Sequence, residues 1–232
     1  MKELSPGAFK ELKWWHDNVE HASKPIRMRK PDLVIESDAS NQGFGGKCGT
    51  IKTGGRWNEQ EQCEHINVLE ILAIFYVLKA FEHQCDLKDK HIRLMCDNTT
   101  GVCYINNMGG SKSQKCNDIT NQIWTWCKDR NIWLSAVHLA GILNTDADRE
   151  SRQFNDDIEW MLDPEFFKEI CKIFGKPDID MFASRLNFQI KPFVSWRPDP
   201  ESIAVDAFYY DWSNKFIYCF PPFSVIQRVL RK

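Results

Sequence analysis

Four carboxylates of this 232-residue chain stand where secondary-structure elements are expected to begin or end. Asp38 closes a short β-branched run. Glu70 falls in the first turns of a long apolar helical pattern. Asp97 follows a second strand-like run, and Asp148 lies in the first turn of a helix. Taken singly, an acid at such a place is ordinarily a cap or a solvated side chain. Four of them point to one destination. Grouped carboxylates repel and hold their protons more tightly, and divalent cations relieve that repulsion. Mg²⁺ takes a few carboxylate oxygens together with waters and substrate phosphates. Two such ions roughly 4 Å apart stabilise both the attacking and the leaving oxygen of a phosphoryl displacement. Asp146 is a rival to Asp148, but the two are only two residues apart on a helix and so point in different directions.

The glycines that follow Asp38 suggest other chemistries, and these fail. Gly46-Lys47 is followed by Cys48, with Asn41 where a phosphate-binding P-loop needs glycine. The dinucleotide fingerprint needs a helix after its glycines, whereas "KCGTIKTGGRW" reads as strand and turn. Gly43, Gly45 and Gly46 are expected only to let a hairpin turn.

The elements that must position the acids follow from periodicity. "DLVIESDA", "FGGKCGTIKT" and the stretch around "GGRWNEQE" read as three strands with hairpin links. "NVLEILAIFYVLKAFEHQ" has apolar residues at helical spacing and reads as a buried helix. "KHIRLMCDN" is a strand, "TTGVCYINNM" a short helix, and "QKCNDITNQIWTWCKDR" a helix with Ile119, Ile123, Trp126 and Cys127 on one face. "NIWLSAVHL" is a strand, and "TDADRESRQ" opens a last helix. The order β-β-β-α-β-α-α-β-α predicts a mixed α/β sheet, partly antiparallel, with helices on its faces. Neighbouring strands then deliver Asp38 and Asp97 side by side, and the long helix leans Glu70 over them.

Composition bounds the rest. The chain is 43% hydrophobic and carries a formal charge of −2, so it can bury a sizeable core and is no strongly basic nucleic-acid glove. Nine cysteines, an odd number with no CxxC pair, exclude a zinc knuckle and a disulfide framework and predict reduced thiols in an intracellular protein, cytoplasmic or nuclear. No run reaches membrane-spanning length. The texture divides the chain into 1–30, amphipathic and then basic; 31–153, which holds the acids; a linker at 154–164; and 165–232, with a helix, a strand-like "PDIDMFAS" and a proline-rich middle.

"SDASNQGFGG", "HINVLEILAI", "CDNTTGVCYIN" and "HLAGILNTDADRESR" follow one another in the order and spacing of retroelement ribonuclease H domains. The last is close to the H-x-x-G-x-x-N-x-x-A-D-x-x-S-R pattern that closes such domains. Residues 31–153 therefore resemble that family, and the whole chain most resembles the ribonuclease H region of DIRS-type (tyrosine-recombinase) retrotransposon polyproteins. The resemblance implies a ribonuclease H-like five-stranded sheet and cleavage of RNA in RNA–DNA hybrids with two Mg²⁺ or Mn²⁺. It implies a metal-binding quartet of Asp38, Glu70, Asp97 and Asp148, the last because the motif's Ala-Asp pair is Ala147-Asp148. His138 becomes the histidine that helps product leave. Residues 1–30 become the connection from an upstream reverse transcriptase. Ser40, Asn41, Asn98 and Asn144 are candidates for contacts to the hybrid, including its 2′-hydroxyls, although turn chemistry explains the first three equally well. The short "NNMGGSKSQ" linker leaves no room for the basic protrusion of bacterial relatives, with Lys112 and Lys115 a poor substitute. A fragmentary copy that holds nucleic acid without cutting it is the alternative. The transposase or integrase branch of the fold places its glutamate on a late helix, unlike Glu70.

Residues 165–232 resemble part of a phage-type adenine-N6 DNA methyltransferase. There the catalytic loop reads [DN]-P-P-[YF], whose first residue accepts a hydrogen bond from the adenine amine. Phe220-Pro221-Pro222-Phe223 has no such acceptor, so no methyl transfer is expected.

Overall fold

The structure, a computed structural model, describes residues 4–20, 30–154 and 159–232. Chain contacts divide it into residues 1–30 and 31–232. In the first unit, helix α1 (Pro6–Asn18) starts at Ser5, whose side chain accepts from the amide of Ala8, with proline in its first turn. None of its residues is buried within that unit. Most of the basic stretch 24–30, and residues 155–158 of the expected linker, lie outside the described residues.

The second unit is built on five strands: β1 (Leu33–Ala39), β2 (Gly43–Cys48), β3 (Ile51–Arg56), β4 (His91–Cys96) and β5 (Trp133–His138). Their order in the sheet is β3-β2-β1-β4-β5, with β1–β2 and β2–β3 antiparallel and β1–β4 and β4–β5 parallel. This is the mixed sheet expected from the sequence. One boundary is corrected. "FGGKCGTIKT" is not one strand but a hairpin, with Cys48 paired to Ile51 across a two-residue turn. Gly49 makes that turn with φ +59, a conformation a side chain disfavours. The third strand accordingly ends at Arg56 instead of running through "NEQE". Asn58 and Glu61 cap each other's backbone amides and start the short helix α2 (Glu59–Gln62).

Helix α3 (Ile66–Cys85) lies on one face, and Ile71, Ile74, Val77, Leu78 and Phe81 are wholly buried with Ile35, Ile92 and Leu94 of the sheet. Each side chain of this size stabilises the fold by about 1.5–3 kcal/mol relative to exposure. Helices α4 (Thr99–Asn106) and α5 (Gln114–Lys128) complete this layer. Ile119, Ile123 and Cys127 are buried as the periodicity predicts, while Trp126 is only half-buried, edge-on to Phe75.

Helix α6 (Thr145–Arg152) reaches the sheet over glycines. Asp38, Gly45 and Gly54 form one cross-strand row, each paired with the next. A Cβ on Gly45 would overlap the backbone of Ala147 and Ser151, and one on Gly54 would overlap the carbonyl oxygen of Glu150. On the alternate position, a Cβ on Gly46 would overlap Val77 of α3. The expectation that these glycines serve only the turn is therefore corrected. The β1–β2 turn is made by Ser40-Asn41-Gln42, and the glycines are flat seats for α6 and α3. Asp146 fixes the same helix from its outer side through Lys47 (2.9 Å) and Lys52 (2.7 Å).

Residues 164–232 hold α7 (Pro164–Phe174), β6 (Ile179–Asp180), β7 (Val194–Ser195), β8 (Ala204–Val205), β9 (Ile217–Tyr218) and α8 (Ile226–Val229). The strands form two small parallel pairs, β6–β9 and β7–β8. The region packs on the edge strand β3. Thr53 donates to the carbonyl of Pro198 (2.6 Å). The Arg185 guanidinium donates to the carbonyl of Arg56 (2.7 Å) and to Glu61 (2.5 and 2.6 Å). Covering an edge in this way blocks strand-to-strand association.

Candidate metal centre

The parallel pairing of β1 with β4 brings their carboxyl ends together, and Asp38 and Asp97 arrive there as neighbours. Glu70, in the second turn of α3, reaches the same point. Each of the three offers an oxygen within 4.8 Å of the others'. Asp38 is 3% and Glu70 5% exposed.

Burial dominates their electrostatics. It pushes the Glu70 carboxyl up to about 9, with the charges of Asp38 and Asp97 adding to the shift. The Asp38 carboxyl is pushed up to about 6 by burial and by Asp97 and Asp148, against a hydrogen bond from Ser151 that lowers it. Oε2 of Glu70 is buried without a hydrogen-bond partner among the described residues. A buried carboxylate oxygen left unpaired is costly unless a cation or donor meets it, and hard oxygen donors suit Mg²⁺ or Mn²⁺. The residues present therefore fit such an ion.

Asp148 stands outside the group of three. Its Oδ1 accepts from Nε of Arg152 at 2.7 Å, one helical turn on. Asp146 points away into the cluster with Lys47, Lys52 and Arg149, and hydrogen bonds from Lys52 and Lys47 hold its carboxyl well below the usual range. His138 is exposed at the end of β5, in register with Cys96, the residue before Asp97.

The polar candidates separate by what their atoms already do. Asn144 is fully buried; its amide donates to the carbonyl of Ser37 (3.0 Å) and approaches Oδ1 of Asp38 (3.5 Å). Ser40 is buried, and its hydroxyl lies 2.6 Å from the carbonyl of Ser151 while accepting from the amides of Gln42 and Gly43. It thereby ties the β1–β2 turn to α6. Asn98 caps α4 through the amide of Gly101 and donates to Asn67. Asn41 is exposed beside Arg152 in a shallow depression with Ser40 and Gln42.

Three contributors were missed as site residues in the sequence. Ser151 places its hydroxyl 2.7 Å from Oδ2 of Asp38 and 2.8 Å from the carbonyl of Asp148, its one proton serving either acceptor. Arg152 neutralises Asp148. Gly141 lets the loop after β5 pass against Asp97, where a Cβ would crowd Oδ2. Gly141, Ser151 and Arg152 all lie in the closing motif. Its spacing carried the signal, since Ser151 and Arg152 follow Asp148 by three and four residues and share its helix face.

No protein-family model and no curated protein matches the chain. Among solved structures, ribonuclease H1 from the halophilic archaeon Halobacterium salinarum aligns with 17% identity and a TM-score of 0.43, covering 54% of this chain and 98% of that one. LC11-RNase H1 in complex with an RNA/DNA hybrid gives 17% and 0.44, covering 51% and 93%. The prototype foamy virus protease–reverse transcriptase gives 17% and 0.31, covering 58% of this chain and 19% of that one. At such identities and TM-scores these similarities assign neither activity nor ligand to this chain.

Proposed function

We propose that residues 31–153 are a metal-dependent endonuclease that hydrolyses the RNA strand of RNA–DNA hybrids. The observation that carries this reading is the convergence of Asp38, Glu70 and Asp97 within 4.8 Å, two of them buried and one with an unpartnered oxygen. Asp38, Glu70 and Asp97 would hold Mg²⁺ or Mn²⁺, with Asp148 joining them on leaving Arg152. Two such ions, when bound, supply an activated water and charge stabilisation at the scissile phosphate.

The chain's own groups do the rest. Ser151 and Asn144 fix the rotamer of Asp38. The glycine seat beneath α6 holds Ser151 and Asp148 at the sheet. Arg152, once released from Asp148, is exposed enough to meet a backbone phosphate. His138, exposed at the end of β5, would help the product leave. Attack by water leaves a 3′-hydroxyl and a 5′-phosphate. Asn41, the exposed residue of the β1–β2 turn, is the candidate for a 2′-hydroxyl contact.

The motif order further supports a retroelement setting with a reverse transcriptase upstream, and the Phe220-Pro221-Pro222-Phe223 loop, without its polar acceptor, supports reading 165–232 as a methyltransferase-like remnant. All nine cysteines are free, in keeping with a reducing compartment. Among the described residues no helix is long and apolar enough to cross a membrane.

The test is cleavage of an end-labelled RNA–DNA hybrid with Mg²⁺, beside single-stranded RNA and duplex DNA. Metal-dependent cuts confined to the hybrid's RNA strand are expected. Binding of the hybrid without any cut in Mg²⁺ or Mn²⁺ would replace the nuclease by a nucleic-acid-binding module.

A further inference from the structure

A second polar site lies where the C-terminal region meets the sheet edge. Between β3 and residues 184–199 runs a cleft of about 310 Å³, at the small end of ligand clefts, which run from about 300 to 1,000 Å³. Arg56, Phe154, Arg185, Trp196 and Arg197 line it. Its arginines are unequally used. Arg56 lies over the ring of Phe154 at 4.5 Å. Arg185 is 8% exposed and committed to Glu61 and the Arg56 carbonyl, yet its Nε has no partner. Arg197 has a side chain 23% exposed, and its guanidinium donates no hydrogen bond among the described residues. The carboxylate paired with it, Glu150 of α6, stands 3.7 Å away.

Burial holds the pKa of this guanidinium below the usual arginine value, against the charges of Glu150, Glu159 and Asp199. The two carboxylates in the lining act on Arg197 through their charge but accept no hydrogen bond from it among the described residues. Asp199 accepts the backbone amides of Arg185 and Glu201 (3.0 and 2.9 Å), and Glu159 is held by Ser184 and Asn187. Beside Arg197 the indole of Trp196 is 52% exposed, with the guanidinium 5.1 Å from its ring centre. An exposed flat ring next to a planar cation that donates no hydrogen bond among the described residues fits a ligand that is itself part planar aromatic and part anion.

We infer that this cleft binds a nucleotide, its base on Trp196 and its phosphate on Arg197. Stacking of a base on an aromatic side chain is worth about 1–3 kcal/mol and tolerates any base, and the arginine fork matches phosphate oxygens. Phe154, which lines the cleft, follows Arg152 of the acidic site by two residues in the chain. The ligand is then either a free mononucleotide or one residue of a bound strand. The second form rests on the nuclease reading; the first does not.

The experiment uses the full chain and its Arg197→Gln, Arg197→Lys and Trp196→Leu variants, each checked for an unchanged circular-dichroism spectrum. Adenosine 5′-monophosphate, adenosine and inorganic phosphate are titrated by calorimetry. A hybrid with a single-stranded overhang is compared with a blunt one by fluorescence anisotropy. Mononucleotide affinity is expected to fall about tenfold or more in Arg197→Gln and in Trp196→Leu, less in Arg197→Lys, and to exceed that of phosphate or adenosine alone. An overhang that binds tighter than the blunt hybrid, through the same two residues, identifies a strand residue as the ligand; tight mononucleotide binding with no overhang effect identifies the free form. Equal binding by parent and variants, or phosphate binding as tightly as the mononucleotide, overturns the proposal. Hybrid cleavage by the parent is read in parallel. Its absence with Arg197-dependent nucleotide binding would remove the nuclease and leave the cleft, and the reverse result would remove the cleft alone.

Discussion

Two regions of this molecule bury carboxylates, and they treat them differently. In the C-terminal region, Asp180 accepts the amides of Phe182 and Gln189, and Asp199 those of Arg185 and Glu201. At the end of β1, Asp38 receives one firm hydrogen bond, from Ser151, and Glu70 keeps a buried oxygen with none. Burial raises the proton affinity of Asp38 and Asp180 alike, each to about 6. What separates them is the partner. An acid tied to backbone amides holds a loop. An acid facing two other acids has few donors of the chain around it and gathers charge that a cation would relieve.

The sharpest way to break this comparison is to remove the charge in each place. Asp38→Asn is expected to lower hybrid cleavage by orders of magnitude, since the metals supply nucleophile and charge stabilisation together. Without metal it should melt at the parent temperature or higher, because repulsion with Glu70 and Asp97 is relieved. Asp199→Asn should do the opposite. An asparagine has one acceptor oxygen for two amides, so stability falls by about 1–3 kcal/mol. Thermal melts in EDTA and a cleavage assay on both variants decide it. Metal-free unfolding of Asp38→Asn would make that residue structural.

The next test asks whether the C-terminal region belongs to the same cooperative unit as the sheet. Arg185 is buried against Glu61, whose side chain is also nearly buried, and against the ring of Tyr76 at 4.7 Å. Arg185→Met leaves the Glu61 charge uncompensated, which costs about 3–5 kcal/mol. One shifted melting transition is expected. Two transitions, with only one shifted, would mean that the two parts unfold independently.

Much of this was legible in the sequence because it is local. Strands, the long helix and the ends at which Asp38, Glu70, Asp97 and Asp148 stand follow from periodicity and turn residues. What was not legible depends on faces meeting. Nothing local shows that Gly45 and Gly54 sit in one row with Asp38 and seat α6, so the sequence assigns Gly45 to the turn. Ser151 reaches Asp38 only because that seat brings α6 onto the sheet. The break at Gly49-Thr50 was hidden inside an otherwise unbroken β-like run. Arg185 and Arg197 gave no sign of where they dock, since their partners lie far away in the chain.

The acids also predict how stability depends on pH. The folded-state pKa of Glu70, about 9, lies above its ordinary value of 4.5, and that of Asp38, about 6, above 3.8. The folded state therefore binds protons more tightly than the unfolded one. Its stability is full below the unfolded pKa values and is lost as pH rises through the folded ones. In EDTA the melting temperature should fall by about 5 °C or more between pH 5 and pH 9, where about 1 kcal/mol corresponds to 2–4 °C for a chain of this size. Glu70→Gln should flatten most of that slope, and saturating Mg²⁺ should remove it in the parent. A slope that survives both would place the titrating group elsewhere.

The smallest expected effect concerns Ser151, and it separates orientation from mere packing. Its hydroxyl favours the ionised form of Asp38, the form a cation needs. Ser151→Ala removes that bond and costs about 1 kcal/mol of stability or less. If packing were its whole role, the Mg²⁺ concentration for half-maximal cleavage would shift equally at every pH. If it serves Asp38, the loss is one of proton competition. Asp38 then takes up its proton at higher pH, and more Mg²⁺ is needed near pH 6 than the parent needs, with the difference closing by pH 8. Ser151→Thr retains a hydroxyl on the same helix face and should restore the parent's profile in part. Magnesium titrations of cleavage at pH 6, 7 and 8 on the parent and both variants measure this, and parallel curves for Ser151→Ala would leave the serine a packing residue.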